Sequence, residues 1–146
     1  MHFGLPCKTW GPLARMNGSL RSRDHPEGFP PSPKDLVANR EARAVGSLCR
    51  SLSLMGALWS IENPQGSYCF CYAPIRDLSL LPEVSDVHFD QCMFGLRPPG
   101  TDVPADQRVR KSTTIRSNVA FFPARSALRP SPRSYVGSGF YSYRLD

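Results

Sequence analysis

The chain has 146 residues, 15 of them proline and 11 glycine, and a formal charge of +6 from 18 basic against 12 acidic residues. That length fits one domain; no window holds the ~18 apolar residues of a membrane-spanning helix, and residues 1–8 contain no apolar run of signal-peptide length. Cysteines at 7, 49, 69, 71 and 92 are odd in number and form no Cys-x-x-Cys pair. They argue against a disulfide framework or a zinc ribbon, and for a reducing compartment, nuclear or cytoplasmic.

Proline and glycine are unevenly spread. Residues 11–33 and 97–108 are rich in Pro, Gly and Arg, and 123–146 add Ser and Tyr. Such stretches lack the apolar pattern that offsets chain entropy, so they read as loops or tails. The expected organisation is one domain over 1–122, with flexible loops at 8–32 and 97–108, and a disordered basic tail over 123–146. The packable part, 34–96 plus 109–122, is on the order of 75 residues, near the lower limit for an independent core. Lys8, Lys34 and Lys111 are the only lysines, so fifteen of the 18 basic residues are arginine. Guanidinium forks suit phosphate, which makes nucleic acid the natural partner; arginines scattered through a weakly constrained reading frame give the same count.

Along the chain, His2-Phe3-Gly4-Leu5 reads as the end of a strand stopped by Pro6. Residues 8–32 follow as a long loop carrying Arg15, Arg21, Arg23 and His25, of a length that is usually functional or disordered. Ser32-Pro33-Lys34-Asp35 then starts a helix, with serine as N-cap, proline at the first helical position and an acidic residue three after the cap. Apolar positions at 37, 44, 45, 48, 52 and 55 keep close to a 3.6-residue period, and Gly56 ends the helix. Cys49 and Met55 read as core filler.

Ala57-Leu58-Trp59-Ser60-Ile61 is expected as a short buried strand running into Glu62. Helix, glycine turn, strand and carboxylate make half a βαβ unit, which implies a parallel sheet with a site at its carboxyl edge. Residues 67–81 are ambiguous: aromatics at 68, 70 and 72 alternate with Cys69 and Cys71 as in a strand, yet a helix fits as well. Val87-His88-Phe89-Asp90 and Thr113-Thr114-Ile115-Arg116-Ser117-Asn118 are further strands, separated by an inserted loop at Pro98-Pro99-Gly100. His88 reads as a packed strand residue.

Three elements taken in order carry more than any one of them. Leu5-Pro6-Cys7 ends on a thiol, and Trp59-Ser60-Ile61-Glu62-Asn63-Pro64 ends on a carboxylate beside an amide. Asp90-Gln91-Cys92-Met93-Phe94-Gly95 is followed after a loop by Arg108-Val109-Arg110-Lys111. This order resembles the catalytic core of the cytosine-C5 DNA methyltransferases, with their Pro-Cys, Glu-Asn-Val and Asp-Tyr-Gly-Val-Pro-Gln-x-Arg-x-Arg elements. Glu62-Asn63-Pro64-x-x-Ser67 with Phe89-Asp90-Gln91-Cys92-x-Phe94-Gly95 is similar to a divergent, mobile-element-type variant of that family. The resemblance covers roughly residues 1–119 and implies an α/β fold: an incomplete doubly wound, Rossmann-like sheet. It implies a helix over 67–81 and puts the strands at 87–90 and 113–118 side by side, the last often antiparallel. It also implies that the loop after Pro-Cys lies over the substrate base and moves on binding.

By the same resemblance, Cys7 is the nucleophile that adds to C6 of a cytosine, Glu62 the carboxyl group at N3, and Asn63 the residue that fixes the turn. Arg108 and Arg110 hold base and phosphate, and Pro6 lies against S-adenosyl-L-methionine. Lys8 and Arg110 are candidates to activate the thiol. DNA is the implied partner, with its target base flipped out of the helix. The Phe-x-Gly-x-Gly turn that binds the cofactor in the family lies ahead of Pro-Cys and has no counterpart here, so the expectation is a truncated or degenerate protein that transfers no methyl group by itself. The alternatives are a non-catalytic basic nucleic-acid-binding remnant and a gene fragment without selected function. The plain readings of the single motifs are an inconsequential thiol, an Asn-Pro turn and two solvated arginines.

Overall fold

The computed structural model describes residues 1–97, 107–120, 135–136 and 140–142. Its elements are β1 (His2–Gly4), α1 (Cys7–Trp10), α2 (Pro33–Leu54), β2 (Ser60–Pro64), α3 (Ala73–Arg76), β3 (Ser85–Asp90), β4 (Gln107–Val109), β5 (Ser112–Ser117), β6 (Tyr135–Val136) and β7 (Phe140–Ser142). Short 3₁₀ turns lie at Pro12–Asn17, Tyr68–Phe70, Asp77–Leu80 and Gln91–Phe94. The architecture is α/β around a four-stranded open sheet of order β1-β2-β5-β3.

That sheet is mixed rather than parallel. β1 and β2 are parallel, and β5 runs antiparallel to both β2 and β3. The reason is local to the β3–β5 connection. The Gln91 N–H bonds the Lys111 carbonyl at 3.0 Å, so the chain re-enters beside the end of β3 and needs no crossover helix. A second ladder, β4-β7-β6, is antiparallel throughout. Apart from β6 and β7, residues 123–146 lie outside the described residues, and so do 98–106 of the expected 97–108 loop.

α2 begins as its sequence dictates. Ser32 caps the helix, accepting the Asp35 N–H at 3.2 Å, while the Asp35 carboxylate accepts the Ser32 N–H at 3.0 Å. The buried face, however, is not the expected apolar stripe. It consists of Asp35, Ala38, Asn39, Ala42, Gly46, Cys49 and Leu52, whereas Val37 is 57% exposed and Met55 70%. Small residues let the helix approach closely: a Cβ added at Gly46 would sit 2.5 Å from the Pro74 carbonyl oxygen. The core is therefore set by Ala38, Ala42 and Cys49 against Trp59, Ile61, Tyr72, Ile75 and Leu78. Cys49 is core filler as expected, and Met55 is not.

Two further boundaries differ from expectation. β2 begins at Ser60 rather than 57, because the Asn118 side chain occupies the backbone before it: its Oδ1 accepts the Trp59 N–H at 2.8 Å and its Nδ2 donates to the Ala57 carbonyl at 3.0 Å. The ladder then carries on through Glu62 to Pro64, paired with Thr113. Residues 67–81 are helical but broken into α3 and two 3₁₀ turns, with Ser67 capping the first of them. The strand alternative for 68–72 is not adopted.

Residues 8–32, read as a flexible loop, hold α1, a 3₁₀ turn and a buried cation. Arg21 is fully buried, its guanidinium 3.6 Å from the Trp10 ring centroid and 3.0 Å from Asp35 Oδ1. It donates to Asn39 Oδ1 at 2.8 Å, to the Asp35 carbonyl at 3.2 Å and to the Pro26 carbonyl. Ser19 adds a hydroxyl bond to Asp35 Oδ1 at 2.9 Å. This cluster fastens the segment to the start of α2. No helix among the described residues is long and apolar enough to cross a membrane.

Candidate functional site

β1 and β2 are parallel neighbours with Gly4 paired to Glu62, so both chains reach the same sheet edge together. Beyond that edge Pro6 turns the chain and Cys7 opens α1, exposed to solvent. The Pro6 carbonyl accepts the Thr9 hydroxyl at 3.0 Å and the Thr9 N–H at 3.2 Å. The Gly11 N–H closes the turn on the Cys7 carbonyl at 2.7 Å, and a Cβ at Gly11 would collide with that oxygen, also at 2.7 Å. Glycine at 11 is thus what allows so tight a turn after the thiol.

The amide of Asn63 joins the two strand ends. It is fully buried, and its Nδ2 donates to the Leu5 carbonyl at 2.8 Å, two residues before Cys7. Strand alternation sends Glu62 to the opposite face. There its carboxylate, 23% exposed, meets the Lys111 ammonium at 3.7 Å. At that distance the pair is coulombic and not a hydrogen bond. Glu62 Oε1 and Asn63 Oδ1 are accordingly both buried without a hydrogen-bond donor among the described residues. Unsatisfied buried acceptors are costly, and here two adjacent residues carry them at one strand end.

Asp90 closes β3 beside this edge. It accepts the Ser112 hydroxyl and, at 3.1 Å, Arg110 Nε. The neighbouring Gln91 amide donates to the Thr113 hydroxyl at 3.0 Å. Of the residues singled out from sequence, Pro6, Cys7, Glu62 and Asn63 are therefore brought together at the β1–β2 edge, and Arg110 is placed on Asp90. Arg108 is described only as backbone within β4. Sequence reasoning passed over Lys111, the cation that meets Glu62, and Asp90 as the anchor of the β3–β5 return. The signal for Lys111 was its place directly after Arg110 and before a β-branched strand.

Several arginines that read as phosphate binders are committed within the protein. Arg116 holds Asp86 with two bonds of 2.7 Å and donates to the Ile75 carbonyl at 2.8 Å, Arg76 pairs with Asp77 at 2.9 Å, and Arg21 serves the buried cluster. Burial lowers the Arg21 pKa, with Asp35 opposing it, and the guanidinium stays charged regardless. Burial alone would raise the Asp35 pKa, but the bonds from Ser32 and Ser19 and the Arg21 charge outweigh it and hold it below the ordinary carboxylate value. Burial pushes the Cys49 and Cys69 thiols up to about 12, so neither is a nucleophile in the folded protein.

Chemically, this end of the sheet offers an accessible thiol just past β1 and, in β2, a carboxylate whose pairing with Lys111 leaves one oxygen without a hydrogen-bond donor among the described residues. No disulfide forms among the described residues, and no group of three or more His, Cys, Asp or Glu among them is placed to hold a metal ion. At the end of β1 Thr9 takes the Pro6 carbonyl, and a Cβ built at Gly4 would meet only open space among the described residues. No protein-family model, no curated protein and no solved structure matches the chain.

Proposed function

We propose that Cys7, Glu62 and Asn63 form the nucleophile-and-carboxylate edge of a cytosine-C5 DNA methyltransferase-like domain, on an incomplete doubly wound, Rossmann-like sheet, acting on a cytosine in DNA. The observation that carries this reading is the in-register pairing of β1 with β2, which brings the thiol and the carboxylate to one carboxyl edge, tied by Asn63 to the Leu5 carbonyl. The antiparallel β3–β5 pair gives further support, since the family places these two strands side by side.

In this reading the Cys7 thiolate adds to C6 of the base, and Glu62, which takes up a solvent proton when the base binds, donates it in a hydrogen bond to N3 as charge builds on the ring. C6 is then tetrahedral, and the ring carries an enamine whose double bond lies between C4 and C5. A solvent proton added at C5, followed by loss of the original C5 hydrogen and expulsion of the thiolate, restores cytosine. This cycle runs without a methyl donor. We expect no methyl transfer by these 146 residues alone, because they contain no Phe-x-Gly-x-Gly turn.

The test is release of tritium to water from duplex DNA labelled at cytosine C5, with no methyl donor present. Release by the native chain, lost in Cys7→Ser and Glu62→Gln, is the expected result. DNA binding without any release, unchanged in both variants, would replace the enzyme reading with that of a non-catalytic binding protein.

A further inference from the structure

A cavity of about 510 Å³ opens on the face of β3 and β5 that carries His88 and Thr114, opposite the Glu62 side. Arg23, Gln65, Gly66, Phe70, Cys71 and His88 are among its walls. Its volume is in the range that small-molecule sites occupy. Its chemistry follows from which polar groups are already engaged. Asp86, also at the wall, has both carboxylate oxygens taken by Arg116 at 2.7 Å. The Ser112 hydroxyl is given to Asp90, and Thr114 is bonded to His88 Nδ1 at 2.8 Å.

What remains is a set of donors. Arg23 is exposed and makes no ion pair or hydrogen bond among the described residues. The Gln65 side-chain amide has no partner among them either. The turn from Pro64 to Ser67, closed by a 3.0 Å bond, puts Gly66 at a φ of 79° and gives its N–H to no described group. When the Thr114 hydroxyl donates to His88 Nδ1, Nε2 carries the ring proton and becomes a further donor. One unpaired guanidinium, an amide, a backbone N–H and an imidazole N–H, with the local carboxylates neutralised, make an anion receptor. The Phe70 ring adds an apolar wall, which a bare inorganic ion would not use.

We propose that this cavity binds a phosphate ester, with Arg23 as its principal contact and Gln65, Gly66 and His88 as supporting donors. The assignment is independent of the reaction proposed at Cys7 and Glu62. The phosphate belongs either to a free nucleotide or to a nucleic-acid backbone, and the two sources present the same group to Arg23.

The test is an NMR titration of the full chain with inorganic phosphate, cytidine 5′-monophosphate, a short single-stranded oligonucleotide and sodium acetate, following the His88 ring and the Gln65 and Gly66 amides. Saturable shifts at these groups with the phosphate compounds, weakened about tenfold or more in Arg23→Ala, are expected. Arg23 is exposed, so that variant should melt as the native chain does, and Gln65→Ala gives a second, smaller loss. Tighter binding of the oligonucleotide than of the mononucleotide identifies a backbone phosphate, and equal or weaker binding identifies a free ester. Equal affinity of Arg23→Ala and native chain, or acetate binding as tightly as phosphate, overturns the proposal.

Discussion

The cluster around Asp35 and the edge at Glu62 and Asn63 both place charged or amide groups out of water, but they treat hydrogen bonds differently. Around Asp35, Ser19, Ser32 and Arg21 all converge on one carboxylate, and Arg21 gives further N–H groups to Asn39 and two carbonyls. At the edge, two buried acceptors have no donor among the described residues, and the Lys111 ammonium stands 3.7 Å off. Arg21 Nε and Trp10 Nε1 in the cluster also lack a hydrogen-bond partner among the described residues, but both Asp35 oxygens are bonded; a carboxylate so held rigidifies a fold, whereas acceptors left open at a strand end are where a ligand's donors gain most. The difference separates a fastening from a site without reference to any motif.

Asp35→Ala attacks that comparison most directly. It strands the Arg21 cation beneath Trp10, both partner side chains being 1% exposed or less, and the expected loss is about 3–5 kcal/mol by urea unfolding. For so small a core that approaches the whole stability. A loss under about 1 kcal/mol, the range of an exposed pair, would show that the cluster is not the fastening.

The core thiols behind both regions give the next effect. Cys49 and Cys69 titrate near 12 when folded and near 9 when unfolded, so above pH 9 the unfolded chain releases protons that the folded chain keeps. Stability should therefore hold up to about pH 9 and fall between pH 9 and 12, by about 1 kcal/mol per thiol per pH unit. Replacing both by alanine should flatten this alkaline limb in a pH series of urea midpoints, whatever it does to the neutral value.

Asn63→Ala should cost least, about 1 kcal/mol, because the lost bond to Leu5 is partly offset by removing the donorless Oδ1. Its larger consequence should be kinetic, a several-fold faster reaction of Cys7 with a thiol reagent as the turn after β1 loosens. If Asn63→Ala destabilises as much as Asp35→Ala, the edge is a second fastening and the contrast fails.

The start of α2 was legible because its determinants are neighbours: Ser32, Pro33 and Asp35 make the capping box among themselves. The places of Cys7 just past β1 and of Glu62 within β2 were legible because each follows an apolar run. The packing face of α2 was not. A count of large apolar residues selects Val37 and Leu48, while the contact is made by Ala38, Ala42 and Gly46, which matter for what they lack. Arg21 looked like one more loop cation, since its partners Asp35 and Asn39 are supplied by α2 and only folding brings them together. The pairing of Lys111 with Glu62 is non-local in the same way.

The place of β5 has a consequence for how the chain is made. It is the later strand in sequence, yet it lies between β2 and β3, joining Ser60 on one side and Ser85 on the other to the same Ser117. During synthesis β2 therefore waits with one edge unpaired, and β3 with no strand partner, until residues 112–117 leave the ribosome, and the Lys111 contact to Glu62 cannot exist before then. Such late, long-range pairing is slow and leaves sticky edges in the interval. A nascent chain stalled before Ser112 is thus a substrate for holding chaperones, and the charge arrangement at the candidate site is among the last parts of the molecule to be assembled.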